Sequence, residues 1–248
     1  MANERIPIRK VIEKLDAYLN KEDYVSAERL LNYWVAEARS IGDRHGELGV
    51  LNEIMGFSRR INDEEGGLSA IRRGFLLIDE LGVDSRTAGT VFLNGATTLK
   101  AFGRAEEAVG YYEKSRQHLI AALEPNDPLL GGLYNNFALA LVDLNRFDEA
   151  IDLYQDAIEV MSKKEDGALE IAVTLMNIAE LWEKIGETDA LIDQALEQAK
   201  SLLDDDRLKH NGYYAFVCRK CAPSFGHFGW FAYQRELNER ADEIYAGN

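Results

Sequence analysis

The 28 residues Tyr134–Met161, YNNFALALVDLNRFDEAIDLYQDAIEVM, decide how this chain folds. Their first half sets Phe137, Leu141 and Leu144 at spacings of four and three, and their second half sets Ile151, Tyr154, Ile158 and Met161 at three, four and three. Each set is one apolar stripe of a helix. Between them stands Asn145, a residue that accepts the left-handed backbone with which a helix ends. Small Ala138 and Ala150 let the two helices approach closely, and Phe137, Phe147 and Tyr154 fill the space beside them. The segment predicts two antiparallel helices joined by a tight turn.

The same arrangement recurs along the chain. Asn52, Asn94, Asn136 and Asn177 stand in the settings LNEI, LNGA, NNFA and MNIA, at spacings of 42, 42 and 41. Fourteen residues after each of the last three comes a small or apolar residue, at Ala108, Ala150 and Leu191, with turns at Gly103, Asn145 and Gly186 and small Ala96 and Ala179 matching Ala138. After Asn52 the matching residue is Ala70, eighteen on, which predicts four added residues around Asp63 to Gly66. An earlier copy ends at Ala27 and places Glu13 at the asparagine position. Five units are visible, and a period of this length marks a repeat array.

Nothing in the chain competes with an all-α reading. Proline occurs only at 7, 125, 128 and 223, so more than a hundred residues from Arg9 to Glu124 carry no hard helix breaker. Strand-type alternation is absent over any useful length. No Gly-rich phosphate loop accompanies a βαβ rhythm, which removes the doubly wound nucleotide folds from consideration.

The hairpin pattern resembles the tetratricopeptide repeat, best in Tyr134–Met161 and next in Phe92–Gln117, and the resemblance covers about four-fifths of the chain. The period of 42 is similar to the longer-helix variants of that family rather than to the commonest form of about 34 residues. The resemblance implies a right-handed α-solenoid superhelix of about six antiparallel helix pairs, with the first helices lining its concave face. It implies five tetratricopeptide-like repeats over 1–206, and a degenerate sixth repeat or aromatic cap over 207–248 in the same domain.

Composition narrows the function. The formal charge is −15, with 28 basic against 43 acidic residues. Such a chain is poorly suited to gather the Lys/Arg stripe that neutralises nucleic-acid phosphates, and anionic membrane surfaces are equally poor partners. A partner with basic residues is steered toward it. No run of about 18 apolar residues and no secretory signal are visible, so the expectation is a cytoplasmic protein. The seven or so residues before the first helix leave no room here for a helix-turn-helix domain, so regulation is expected to act through another protein.

Members of the tetratricopeptide family typically bind peptides or helical segments on the concave face, in several subfamilies through a first-helix asparagine that grips the ligand backbone. The asparagines that match are Asn52, Asn94, Asn136 and Asn177. A side-chain amide offers a donor and an acceptor together and can pair with both groups of a passing peptide. The competing role is to satisfy backbone groups at a crowded helix crossing. Repetition alone does not separate the two. By helical spacing, Thr90, Thr97, Lys100, Asn135, Asp143, Glu180, Glu183 and Lys184, with Arg59, share the same face and are candidate specificity residues. A clamp for a free carboxylate has only Arg59, Lys100 and Lys184 to draw on. The function expected is a non-catalytic protein–protein interaction module, an adaptor or regulator, that binds a peptide or protein segment and carries no cofactor.

The C-terminal segment differs. Tyr213 to Tyr233 holds 8 of the 24 aromatic residues, together with Cys218, Cys221, His227 and Pro223. Ala232 lies 41 after Leu191, so a sixth hairpin is predicted, with Pro223 ending its first helix early and its second running to about Tyr245. A folded cap, a homodimer contact and a pocket wall are the readings open to it. Cys218 and Cys221 form a C-x-x-C, yet the spacing from His210 to His227 matches no common zinc site, and no thioredoxin-like context surrounds it. Buried helical cysteines are the default, and a metal, thiol or small-molecule site in this segment is the alternative function. No H-E-x-x-H or G-x-S-x-G occurs.

Overall fold

In a computed structural model, residues 5–247 are described and form twelve helices among them. Aspartates start most of the early ones. Asp23, Asp43, Asp63, Asp84 and Asp127 each accept a hydrogen bond from a backbone N–H of the first turn, satisfying one of the donors a helix start leaves open. Asp43 is itself buried, and its second oxygen accepts the N–H of Ile6 at 2.9 Å, which fastens the segment before the first helix. Left-handed residues end the helices where the sequence asks for turns, at Gly103, Asn145 and Gly186.

The chain divides into two compact units, 1–123 and 124–248, each built of three antiparallel hairpins. The first unit holds α1 (Ile8–Leu19), α2 (Tyr24–Ser40), α3 (Arg44–Ile61), α4 (Glu64–Leu81), α5 (Ser85–Ala101) and α6 (Ala105–Ala122). The second holds α7 (Pro128–Asp143), α8 (Phe147–Ser162), α9 (Ala168–Ile185), α10 (Asp189–Leu203), α11 (Gly212–His227) and α12 (Phe231–Ala246). Within a unit, each first helix packs on the second helix of its own hairpin and on the first helix of the next. Ala96, Ala108, Ala138, Ala150 and Ala179 are all completely buried at these crossings, as are Tyr112 and Tyr154, which fill the same place one repeat apart.

Four details differ from the sequence reading. The hairpin after Asn52 holds no four-residue insertion: α3 ends at left-handed Asn62, and Gly67, five residues on, occupies the place of Ala108 and Ala150. A Cβ at Gly67 would stand 2.9 Å from the Phe102 ring and 3.2 Å from Ser58 Cβ, so the residue is as small as the crossing demands. In the fifth hairpin the buried residue is Ile192 rather than half-exposed Leu191, because the turn is one residue longer and Thr188 starts the helix. In the sixth, half-buried Gln234 takes the place, against Gly226 of α11, with buried Tyr233 beside it, while Ala232 faces solvent. Finally, α11 runs straight through Pro223 to His227. Pro223 lies on the exposed side of the helix, which continues past it.

Tyr214, Val217, Cys218, Cys221, Ala222 and Phe225 of α11 close over Leu175, Met176 and Ala179 of α9 in one core cluster, which Tyr233 and Leu237 of α12 complete. The aromatic segment is thus sorted by position: Tyr214, Phe225 and Tyr233 are inside, whereas Tyr213, Phe216 and Phe231 remain 46%, 49% and 69% exposed. A polar knot ties its three helices. Asp204 at the end of α10 accepts from Tyr233 Oη at 2.9 Å and from Arg240 Nη1 at 2.8 Å, and the same Arg240 nitrogen donates to Tyr214 Oη at 2.9 Å.

Candidate functional site

In the first unit the first-helix face centres on α3 and α5. The Asn94 amide donates to the backbone carbonyl of Asn52 at 2.7 Å and to its side-chain oxygen at 3.2 Å. Its own oxygen accepts from Arg59 Nη1 at 2.6 Å, and that nitrogen also reaches Thr98 Oγ1 at 2.6 Å. Thr98, which the spacing argument did not single out, is fully buried and bridges further to the Met55 carbonyl at 3.2 Å. The Asn94 amide therefore serves the crossing of α3 and α5, and Arg59 is held there as a half-buried cation whose pKa desolvation lowers. Thr97 gives its proton to the Leu93 carbonyl and accepts from Tyr112 Oη at 3.2 Å, so it too is engaged within the unit. Lys100 is half-buried at the end of α5.

In the second unit the equivalent bond is made by a neighbouring residue. Asn177 donates to Asn135 Oδ1 at 2.9 Å, and Thr174 Oγ1 donates to the same oxygen at 3.2 Å. Asn136 is half-buried and makes no side-chain hydrogen bond among the described residues. Lys184 lies 3.4 Å from the Val142 carbonyl and 5.9 Å over the Phe147 ring, and Asp143 is exposed at the end of α7. Glu180 accepts from Ser224 at 2.6 Å, and Glu183 pairs with His227 at 2.7 Å, which joins α9 to α11 along this face. Glu170, which the sequence reading passed over, meets Tyr213, and burial raises its pKa.

These contacts give the asparagines separate roles in stability. Asn94→Ala removes two hydrogen bonds and strips the half-buried Arg59 of an acceptor, a loss of roughly 1–3 kcal/mol, whereas Asn136→Ala is expected to leave the melting temperature unchanged within error. Thermal unfolding of the two variants side by side checks this. Equal destabilisation by both would refute the assignment.

A cavity of about 620 Å³ opens between α1, α3 and α5. Ile12, His45, Asn52, Glu53, Thr87 and Thr90 line it, so it gathers two of the predicted face residues. Glu53 was not among them: it follows Asn52 directly, and the corresponding residue of the next repeat is Gly95, so a search for periodicity passes it over. Among the described residues its carboxylate accepts only a long bond, 3.3 Å, from the Asn52 amide. Burial raises its pKa and nearby Asp16 adds to that shift, while the Asn52 bond and the Arg59 cation oppose it.

The C-x-x-C pair is buried in the core cluster, and burial pushes the Cys221 thiol up to about 12 and raises that of Cys218. The histidines suggested with it lie elsewhere: His210 stacks on Tyr214 with ring centres 4.3 Å apart, and His227 holds Glu183. Among the described residues no group of three or more His, Cys, Asp or Glu is placed to hold a metal ion, and no helix is long and apolar enough to cross a membrane.

Comparison with known proteins bears directly on the hairpins. Residues 88–163, which contain α5 to α8, match the tetratricopeptide repeat family model. Residues 88–163 carry tetratricopeptide repeats. Solved tetratricopeptide-like structures cover the remainder. BtubC (BKLC) from P. vanneervenii is 18% identical, covers 92% of this chain and 91% of its own, and superposes with a TM-score of 0.61. A Podosopora anserina protein of kinesin light chain type, with nearly identical TPR-like repeats, is 14% identical over 86% of this chain and 97% of its own, TM-score 0.57. The apo form of the quorum sensor NprR from B. thuringiensis is 12% identical over 96% of this chain, TM-score 0.63, and the match spans 64% of NprR. At these identities the likeness is one of fold. No curated protein matches the sequence. The six helical hairpins are thus the frame on which both sets of face residues are mounted.

Proposed function

We propose that this protein is a non-catalytic interaction module, an adaptor or regulator, that takes an extended peptide or protein segment on the first-helix faces of its tetratricopeptide hairpins. The observation that carries the reading is the cavity between α1, α3 and α5, because it joins a polar wall at Asn52 and Thr90 to an under-satisfied carboxylate at Glu53. An incoming Lys or Arg supplies the donors that carboxylate lacks and adds to the partial compensation from Arg59 in a partly desolvated place. The overall charge of −15 favours the approach of a basic segment in the same sense. In the second unit, Asn136 and exposed Asp143 are the groups proposed to meet the ligand, with Glu180, Glu183 and Lys184 beside them.

Selection from a displayed random dodecapeptide library tests the reading. Sequences enriched on the wild-type protein are expected to carry Lys or Arg, and Glu53→Gln is expected to weaken their binding about ten- to a hundredfold, the range of a charge-assisted hydrogen bond of roughly 1.5–3 kcal/mol. Enrichment without basic residues, or full affinity for Glu53→Gln, sinks the proposal.

A further inference from the structure

A second cavity, about 500 Å³, lies on the other side of the first unit in the cleft between α4 and α6. Its floor is aromatic. The rings of Phe75 and Tyr111 are 4.4 Å apart at their centres, those of Phe75 and Phe92 5.0 Å, and those of Phe92 and Tyr111 6.1 Å. Gly95 of α5 makes this arrangement possible: a Cβ there would stand 2.5 Å from the Phe75 ring, so any side chain would evict it. The position holds Glu53, Phe137 and Ile178 in the neighbouring repeats, so the cleft is a local departure from the repeat rather than a product of it. Leu76, 55% exposed, carries apolar surface along α4 beside the cavity it lines.

The rim has the opposite charge balance to the whole chain. Arg72, Arg104 and Lys114 line the cavity against Asp79 and Glu107, three cations to two carboxylates, whereas the sequence holds 43 acidic to 28 basic residues. Arg104 is spent on Glu107, to which its Nε donates at 2.7 Å. Arg72 and Lys114 are exposed, and Lys114 is held over the rings, its Nζ 5.2 Å from the centre of Tyr111 and 5.6 Å from that of Phe92. A cation seated on an aromatic floor is pre-positioned, so pairing it with an anion costs little further ordering.

We propose that the cleft between α4 and α6 is a docking site for an acidic amphipathic segment of a protein partner, with a large apolar side chain seated among Phe75, Phe92 and Tyr111 and a carboxylate held by Arg72 and Lys114. The cavity exceeds the size of one side chain and continues onto Leu76, which fits a segment with two apolar residues on one helical face. This site is separate from the cavity at Glu53 in both residues and charge, and it selects a segment of the opposite sign.

The dodecapeptide selection discriminates the two sites when run on the wild type, on Glu53→Gln and on the double variant Arg72→Glu/Lys114→Glu. A second enriched class is expected, with Asp or Glu within one helical turn of Leu, Phe or Trp. It binds Glu53→Gln undiminished and the double variant at least tenfold more weakly. Both exchanged residues are exposed, and circular dichroism with an unchanged melting curve confirms that the variant is folded; Leu76→Asp provides an independent lesion of the apolar half, with the same expected loss. Absence of an acidic class, or an acidic class that survives the charge reversal, overturns the proposal while leaving the basic class at Glu53 to be judged on its own.

Discussion

A chain ending before His210 is expected to lose the cooperative unfolding of its second unit and to aggregate. Removal of α11 and α12 uncovers Leu175 and Met176 of α9, now 7% and 3% exposed, along with the apolar surface around Leu196 and Leu203. Burial of each large apolar side chain is worth about 1.5–3 kcal/mol, so three or four of them equal a large part of the 5–15 kcal/mol by which a domain stays folded. The truncation also takes Tyr233 and Arg240 away from Asp204, leaving a carboxylate that three groups now hold with only Lys200. Size-exclusion chromatography and hydrogen exchange of α9 and α10 measure the outcome. A monomeric truncated chain with full protection in those helices would mean that the terminal hairpin is an appendage.

The second large effect is expected at Glu47, whose side chain is 3% exposed and sits between two arginines. Arg73 donates to both its oxygens at 3.0 Å, and Arg39 Nε donates to one at 2.8 Å. Burial by itself raises the pKa of Glu47, but the bonds from Arg73 and Arg39 outweigh it and hold the carboxyl below the usual range. One acid thus ties α2, α3 and α4 together. Glu47→Ala is expected to cost roughly 2–4 kcal/mol, less than for a fully enclosed pair because Arg39 and Arg73 are about half and one-third exposed and regain water. The sign of the pH effect follows from the lowered pKa. The contribution is fully present above the unfolded-state value near 4.3 and is lost as pH falls through the folded value. Denaturant titrations at pH 7 and pH 3.5 check both: the gap between wild type and variant narrows in acid. An equal gap at the two pH values would place the cost in packing rather than in the ion pair.

The repeat was legible in the sequence because its parts are dictated locally. Asn145, Gly103 and Gly186 stand where the chain must turn, and the alanines at 96, 108, 138, 150 and 179 stand where two backbones meet. The partners across helices were less legible. Asn135 rather than Asn136 receives Asn177 because one residue turns a side chain by about 100° around the helix, and the spacing from 136 to 177 is 41 where the bonded pairs are 42 apart. Thr98, Thr174 and Glu53 escaped because their environment is set by a helix some forty residues away. Gly67 escaped because Ala70, also buried, sits one turn further along the same helix. Pro223 misled because its effect depends on which face of the helix carries it, a property of the fold and not of the residue.

The two thiols in the closing hairpin have a consequence for handling this protein. Cys218 and Cys221 are fully covered, and with the latter raised to about 12 almost none of it is thiolate at neutral pH. An alkylating reagent therefore meets them only in molecules whose last hairpin has lifted off. The rate of labelling, read by mass spectrometry in unmodified wild-type protein, becomes a clock for that opening, and a peptide that reaches the second unit and clamps it would slow the clock without touching either sulfur.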